Sequence, residues 1–390
     1  MKIMSDLPLQ NQRVLVREDF NVPMNDQGEI INDQRLQAAL PTIQTLLTHN
    51  AAIILLSHLG RPTEGVFEQK YSLRPVADYL SKILQKKVRF ELNYLEGLEI
   101  QPGEIILCEN VRFNLGEKKN DPVLAQKMAK LGDFFIMDAF ATAHRAEAST
   151  CGIAHYLSSA AGPLLEREIK ALKQVMDHPE KPLTAIVGGA KVSDKLVLLE
   201  HLVKKVKVNT LIVGGGIANT FLAALGKPVG QSLYEPALLN EAQHIMQVAQ
   251  DCGCFFPLPE DVVVAETLSE HVVTQIKNID SVCDQDRIFD IGPQTIRHLT
   301  EIIQTSKTLL WNDPVGVFEY APFAAGTKAI ASAIANTPES FHQYSVAGGG
   351  DTLSAVEQFN ITQHISYLST GGGAFLEYIQ GKKLPAILAL

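Results

Sequence analysis

The sequence predicts an α/β fold: two doubly wound parallel-sheet domains joined by a connecting helix. Three observations point there. Short apolar runs alternate with amphipathic stretches along the whole chain, the pattern of a parallel sheet covered on both faces. The chain has 390 residues, and at about 100–200 residues per domain two domains are the natural division. Between the halves lies one amphipathic stretch, Pro163 to His178, that runs into Pro179 and Pro182.

In the first half, residues 12–17 read as a short strand. Residues 34–49 carry Leu36, Ala39, Leu40, Ile43, Leu46 and Leu47 at helical spacing. Ala52 to Leu56 is a continuous apolar run and reads as a buried strand, and Leu73 to Leu84 is helix-like again. Strands follow at 103–108 and 134–137, with a helix over 121–131 between them. In the connecting stretch Leu164, Leu165, Ile169, Leu172, Val175 and Met176 form a stripe, with Glu166, Arg167, Lys170, Lys173 and Gln174 interleaved. The prolines stop it, giving a helix of about 16 residues and ~24 Å. In the second half strands are expected at 184–187, 210–213, 262–265, 309–311, 344–347 and 365–368, with helices between them. No fixed period repeats, so the chain is not a solenoid.

Net charge is −9, hydrophobic content 46% and charged content 20%. An acidic chain of this kind is no general binder of nucleic acid or membrane surface, so an anionic ligand needs a local cluster of cations. No run approaches the ~18 apolar residues of a membrane span, and the start lacks a signal-peptide core; a cytoplasmic location is expected. Five scattered cysteines, at 108, 151, 252, 254 and 283, do not make a disulfide framework. Cys252 and Cys254 lack a second pair at zinc-site spacing and read as structural thiols.

Four glycine turns follow strand-like runs in the second half. They are Gly188-Gly189, Gly214-Gly215-Gly216, Gly348-Gly349-Gly350 and Gly371-Gly372-Gly373. Parallel strands share one carboxyl edge, where ligands bind, so these turns suit a phosphate-bearing ligand approached closely by backbone. After the first turn a helix is expected with Lys191 and Lys195 on one face, one turn apart. The same stretch also fits an ordinary βα turn with two solvated lysines. Asp351-Thr352 follows the third turn, and Asp351 is the best single candidate for Mg²⁺ on nucleotide phosphates. It equally suits an N-cap. Ser369-Thr370 and the fourth turn open what reads as the last long helix, whose N–H groups favour developing negative charge. The loop from Trp311 through Asn312 to Glu319 could line a purine and hold ribose hydroxyls through Glu319.

The first half carries Arg17, Asp19, Asn21, Arg35, His58, Arg61, Arg112 and Arg145 in its turns. Arginine forks hold carboxylate and phosphate bidentately, although any one of these residues could serve as a surface ion-pair partner. GxxxxGK[ST], GxGxxG, HRD, DFG, HExxH and GxSxG are all absent from the sequence. This counts against P-loop ATPases, dinucleotide dehydrogenases and protein kinases.

Read together, these motifs resemble the phosphoglycerate kinase family over essentially the whole length. The resemblance rests on Arg17-Glu-Asp-Phe-Asn-Val-Pro23, Ser57-His-Leu-Gly-Arg-Pro62, Glu109-Asn-Val-Arg-Phe113, Asp138-Ala-Phe with Ala143-His-Arg-Ala146, and Gly188-Gly-Ala-Lys-Val-Ser-Asp-Lys195. Trp311-Asn with Pro314-Val-Gly-Val-Phe-Glu319, Gly348-Gly-Gly-Asp-Thr352 and Ser369-Thr-Gly-Gly-Gly373 complete it. It implies a glycolytic transferase that moves a phosphoryl group between ATP and the carboxylate of 3-phosphoglycerate, working as a cytoplasmic monomer. It implies two Rossmann-like domains: residues 1–162 with 377–390 for the acceptor and 179–376 for the nucleotide. Residues 163–178 would connect them, and a hinge-closing cleft would bring the substrates together.

Position by position, the resemblance gives Asp19, Asn21, Arg35, His58, Arg61, Arg112 and Arg145 to the phosphoglycerate. Lys191, Lys195, Gly214, Gly215, Asn312, Glu319, Gly348, Gly349, Gly350, Asp351 and Thr352 go to the Mg-nucleotide, with Asp351 on the metal. Arg35, Lys191, Lys195, Gly371 and Gly372 would serve the transfer itself. Three residues depart from the family pattern. Ala141 and Asp313 stand where glycine is usual, and Glu147 stands where His or Gln is commoner. Asp313 adds a carboxylate beside the nucleotide loop and is expected to weaken or reshape nucleotide binding. Two alternatives remain: a nucleotide-binding scaffold without turnover, and a kinase for another small carboxylic acid.

Overall fold

The computed structural model describes residues 1–25 and 27–390. The chain divides into two compact units: Met1–Lys170 with Lys383–Leu390, and Ala171–Lys382.

In the first unit the strands are β1 (Arg13–Arg17), β2 (Ala52–Leu56), β3 (Val88–Glu91), β4 (Ile105–Cys108), β5 (Phe134–Met137) and β6 (Ser158–Ala161). They form one sheet in the order β3-β4-β2-β1-β5-β6, parallel at every pairing. Helices α1 (Gln34–Thr48), α2 (Arg74–Ile83) and α3 (Pro122–Ala129) connect strands. β2 and β4 are buried at every position, as expected for a central sheet covered on both faces. One core cluster joins them to Leu36, Ile43 and Leu46 of α1 and to Val76 and Leu80 of α2. Full burial of each such side chain contributes roughly 1.5–3 kcal/mol. β3 and β6 are edge strands outside the sequence reading: β3 is a four-residue strand, and Ser-Ser-Ala-Ala of β6 has neither β-branched nor aromatic residues to mark it.

α4 spans Pro163–Met176, 14 residues, a little shorter than the periodicity suggested. Asp138, just past β5, caps its start by accepting from the Leu164 and Leu165 N–H groups at 2.8 and 2.9 Å. The division between the units falls inside this helix. At the other end of the chain α12 (Pro385–Leu388) belongs to the first unit, where the Ala386 N–H donates to the Ala143 carbonyl at 3.1 Å.

The second unit contains β7 (Leu183–Val187), α5 (Leu196–His201), β8 (Thr210–Val213), α6 (Gly215–Ala224) and α7 (Leu239–Asp251). They are followed by β9 (Asp261–Ala265), β10 (Gln275–Asn278), β11 (Arg287–Ile291), α8 (Pro293–Thr305), β12 (Thr308–Asn312) and α9 (Ala325–Ala335). β13 (Tyr344–Gly348), α10 (Gly350–Gln358), β14 (Tyr367–Ser369) and α11 (Gly373–Ile379) complete it. Five strands make a parallel sheet in the order β14-β13-β12-β7-β8.

β9 corrects the sequence reading. It is no part of the parallel sheet but the centre of a separate antiparallel one, β10-β9-β11. The links at 266–274 and 279–286 are too short for the dozen or more residues of a parallel crossover, so the chain turns back on itself. The last expectation also changes: α11 is a helix of 7 residues, not a long one.

Candidate functional site

In the first sheet the chain runs from β1 to β2 on one side and returns to β5 on the other. Such a reversal opens a crevice at the strand carboxyl ends. Arg17 to Asn21, Ser57 to Arg61, Glu109 to Arg112 and Asp138 to Arg145 follow the ends of β1, β2, β4 and β5.

These residues converge on His58. His58 is buried, with its Nδ1 at 3.3 Å from Arg17 Nη2. Burial, then the positive charges of Arg17, Arg112, Arg145 and Arg35, hold its pKa well below the ordinary imidazole range. At neutral pH it is therefore a neutral hydrogen-bonding ring among guanidinium groups. Arg35, in the first turn of α1, pairs through Nη1 with Asp19 Oδ2 at 2.7 Å and donates to the Asn21 carbonyl at 3.1 Å. Asn21 Oδ1 accepts from the Gly60 N–H at 2.8 Å, and Asp19 Oδ1 from the Asn21 N–H at 3.2 Å. Arg61 is exposed; its charge helps, after burial, Arg112 and others, to shape the pKa of Arg145.

Arg112 is buried, donates to the Gly60 carbonyl at 2.8 Å and pairs with Glu147 Oε1 at 3.1 Å. Glu147, one of the three departures from the family pattern, thus finds its ion-pair partner in Arg112. Arg145 Nε bonds His144 Nε2 at 3.3 Å, while its Nη1 is buried with no hydrogen-bond partner among the described residues. A buried guanidinium nitrogen left open in this way is ready for an external acceptor.

A second layer was not legible in the sequence. Arg17 Nε donates to Ser149 Oγ at 3.0 Å, and Ser149 Oγ donates to Glu117 Oε1 at 2.5 Å. Burial pushes the Glu117 pKa up to about 7. Nothing in the local pattern marks Glu117 as buried, since its neighbours Leu115 to Lys119 read as a polar turn.

In the second sheet the chain runs from β7 to β8 on one side and returns to β12 on the other. The turns after β7 and β12 meet there. A Cβ on Gly188 would overlap the Pro314 carbonyl oxygen, so only glycine lets the two loops touch. Beside them lies a cavity of about 620 Å³, a usual size for a small-molecule site. Gly189 and Gly215 form part of its wall, with Asp313, Glu319 and Asp351. Val317 and Phe318 supply an apolar side. Trp311 faces the core instead, its indole N–H donating to the Asp313 carbonyl at 3.1 Å.

The two lysines do not share a helix face, contrary to the spacing argument. Lys191 lies in an extended turn and is exposed, and α5 begins only after Lys195. The positive φ of Gly189 and the inward Val192 lead the chain through an open turn. Glu235, missed in the sequence, pins that turn by accepting from Ser193 N and Oγ at 2.8 and 2.7 Å. Lys195 alone points inward, its Nζ 2.6 Å from Asn312 Oδ1 and 2.7 Å from Asp313 Oδ2. Asn312 Nδ2 donates to the Gly348 carbonyl at 2.9 Å, which ties β12 to β13.

Gly214 precedes α6, Gly349 has φ +108°, and Gly350 and Asp351 open α10. Thr352 is buried, its Oγ1 accepting from the Asp313 N–H at 2.7 Å. Gly371 and Gly372 precede α11 and are not on the cavity wall. Among the described residues no group of three or more His, Cys, Asp or Glu could cage an ion. The exposed Asp351 at the cavity instead suits Mg²⁺ that arrives on nucleotide phosphates, with one or two carboxylates and several waters.

Two parallel sheets define the class. One has a guanidinium cluster at its switch point, the other a cavity walled in part by glycine turns, with a buried lysine paired to one of its acidic residues. This is an α/β phosphotransferase. The sequence model described as phosphoglycerate kinase matches residues 4–382. The phosphoglycerate kinase of Legionella pneumophila (strain Paris) is 58% identical over 388 residues, covering 99% of this chain and 96% of that protein. That of Francisella philomiragia is 53% identical over 385 residues, covering 98% and 96%. The solved phosphoglycerate kinase of Coxiella burnetii superposes with a TM-score of 0.95 at 51% identity, covering 99% of this chain and 97% of that one. That of Pyrococcus horikoshii OT3 gives 0.80 at 31%, covering 100% and 98%. The chain belongs to the phosphoglycerate kinase family.

Proposed function

We propose that the first unit holds 3-phosphoglycerate and the second holds the nucleotide in the reaction ATP + 3-phosphoglycerate = ADP + 1,3-bisphosphoglycerate. The cluster around His58 supports this assignment most directly. Arg17, Arg35, Arg112 and Arg145 act on one buried neutral ring, and Arg145 keeps an open buried donor. Asp19, Asn21, Arg35, His58, Arg61, Arg112 and Arg145 bind and orient the acceptor. Its carboxylate is ionised at neutral pH, so no general base is required. What remains is positioning and charge stabilisation.

Lys191, Lys195, Asn312, Glu319, Thr352 and the turns at Gly214-Gly215 and Gly348 to Gly350 take the nucleotide. Asp351 would hold Mg²⁺, which would offset negative charge on the nucleotide phosphates when bound. Lys195 and Arg35 stabilise charge on the transferring group, beside the 371–372 turn. Donor and acceptor must come into line away from water. Residues 163–178 act as the pivot between an acceptor domain, 1–162 with 377–390, and a nucleotide domain, 179–376. The enzyme works as a cytoplasmic monomer; among the described residues no helix is long and apolar enough to cross a membrane.

Arg35→Ala and Lys195→Ala should each lower kcat by orders of magnitude in a coupled ATP/3-phosphoglycerate assay. Binding of the substrate held by the other half should stay near wild type. Turnover close to wild type in either variant would sink the assigned roles. Small-angle scattering should show compaction only with both substrates present, and an unchanged radius of gyration would count against closure.

A further inference from the structure

One acidic side chain in the nucleotide cavity has no place in the assignment above. Asp313 follows β12 and holds φ at +67°, a left-handed conformation that a side chain with a Cβ seldom adopts. It is nevertheless firmly placed. Its N–H donates to Thr352 Oγ1 at 2.7 Å, and Thr352 Oγ1 donates in turn to the Gly348 carbonyl at 2.9 Å. Its carboxylate reaches Lys195, with Oδ2 2.7 Å from Nζ and side chains only 19% and 9% exposed. Asn312 Oδ1 takes a second contact of the same ammonium at 2.6 Å. The inward lysine of the site is thus already neutralised by the protein.

That pairing has a chemical consequence. Asp313 lies on the same wall as Asp351 and Glu319. A metal-free nucleotide would bring its phosphate charge to a lysine already occupied, and would leave Asp313 facing phosphate oxygens. Two anions at that range repel strongly in a partly desolvated site. A nucleotide complexed with a divalent cation brings compensating positive charge, and the displaced carboxylate can turn toward it. We propose that Asp313 is a specificity-determining residue of the nucleotide site. It occupies Lys195 as an internal anion and so selects metal-complexed nucleotide over the free form. This rests on the assignment of Lys195 to the nucleotide site.

The test is calorimetric titration of the full chain with ADP, once with Mg²⁺ and once with EDTA. In Asp313→Asn and Asp313→Gly, metal-free ADP should bind about tenfold tighter than in wild type, the scale of losing one close charge contact. Mg-ADP should change much less, so the ratio of the two Kd values falls. Equal changes in both forms, or weaker binding of free ADP, would overturn the proposal. Lys195→Ala separates the two failures. If it weakens ADP binding while the Asp313 variants leave the ratio unchanged, the selection role fails alone. If Lys195→Ala leaves binding at wild-type levels in both titrations, the assignment of Lys195 fails, and the role of Asp313 with it. Fluorescence of Trp311, the chain's single tryptophan, confirms that each variant is folded.

Discussion

The first unit builds its candidate site largely from charged side chains, and the second combines glycine turns with acidic and apolar side chains. Around His58 the atoms that face the site belong to guanidinium groups, supported from below by Glu147, Ser149 and Glu117. Around the second cavity glycine turns share the wall with Asp313, Glu319, Asp351 and apolar side chains, and buried Lys195 is paired to Asp313. The buried carboxyls follow the same division. Glu18, Glu117 and Asp138 are all pushed up by burial in the first unit, and Asp290 to about 7 in the second. Guanidinium groups give bidentate recognition but must be desolvated, so they need a network of partners. Glycine turns approach a ligand closely at little desolvation cost, but they depend on exact loop contacts.

The contrast can be broken by substitution. The largest stability effect is expected from Glu147→Ala, which strands Arg112 in a site where both side chains are under a tenth exposed. Removing one partner of a buried pair costs about 3–5 kcal/mol. Far-UV circular dichroism should show part of the chain unfolding at lower urea while the Trp311 transition, which reports the second unit, stays in place. Loss of both transitions together would mean that the two units do not unfold separately.

Gly188→Ala tests the other side. Its Cβ would meet the Pro314 carbonyl, which is backbone and cannot rotate away. A forced shift of this kind costs roughly 1–3 kcal/mol, and here the Trp311 transition should move. A stable variant with unchanged Trp311 fluorescence would show that the loop contact is not what holds the turn.

The smallest effect is a dependence on pH. Glu117 has a folded pKa of about 7 against an ordinary value of 4.5. Between these values the folded state holds more protons than the unfolded state, so stability falls as pH rises through this window. Glu117→Gln removes that part of the slope. If wild type and variant showed the same pH profile from 4.5 to 7, Glu117 would be ionised in the folded chain throughout.

The strands and most of the helices were legible because their apolar runs are long or periodic: Ala52–Leu56 and Leu183–Val187 are buried at every position. The positions of the candidate site residues were legible too, since His58, Arg112 and Arg145 follow strand ends, Asn312 closes β12, and parallel topology fixes where strand ends go. The misreadings have two causes. Lys191 and Lys195 have helical spacing, but a contact from Glu235, 40 residues or more along the chain, holds that turn open. Val262–Ala265 has the apolar pattern of a parallel strand, and its antiparallel pairing was set by the length of the links around it.

The sequence alone determined the fold class, the family and the list of residues at the strand ends, because these depend on local pattern and on chain order. Only the tertiary structure decided the partners. It set Arg112 on Glu147, Arg17 on Ser149 above Glu117, and Lys195 on Asp313. Each pairing joins residues far apart in the chain whose charges could have been met by water. Folding removed the water from around them, and in its absence each charge had to find a partner in the protein.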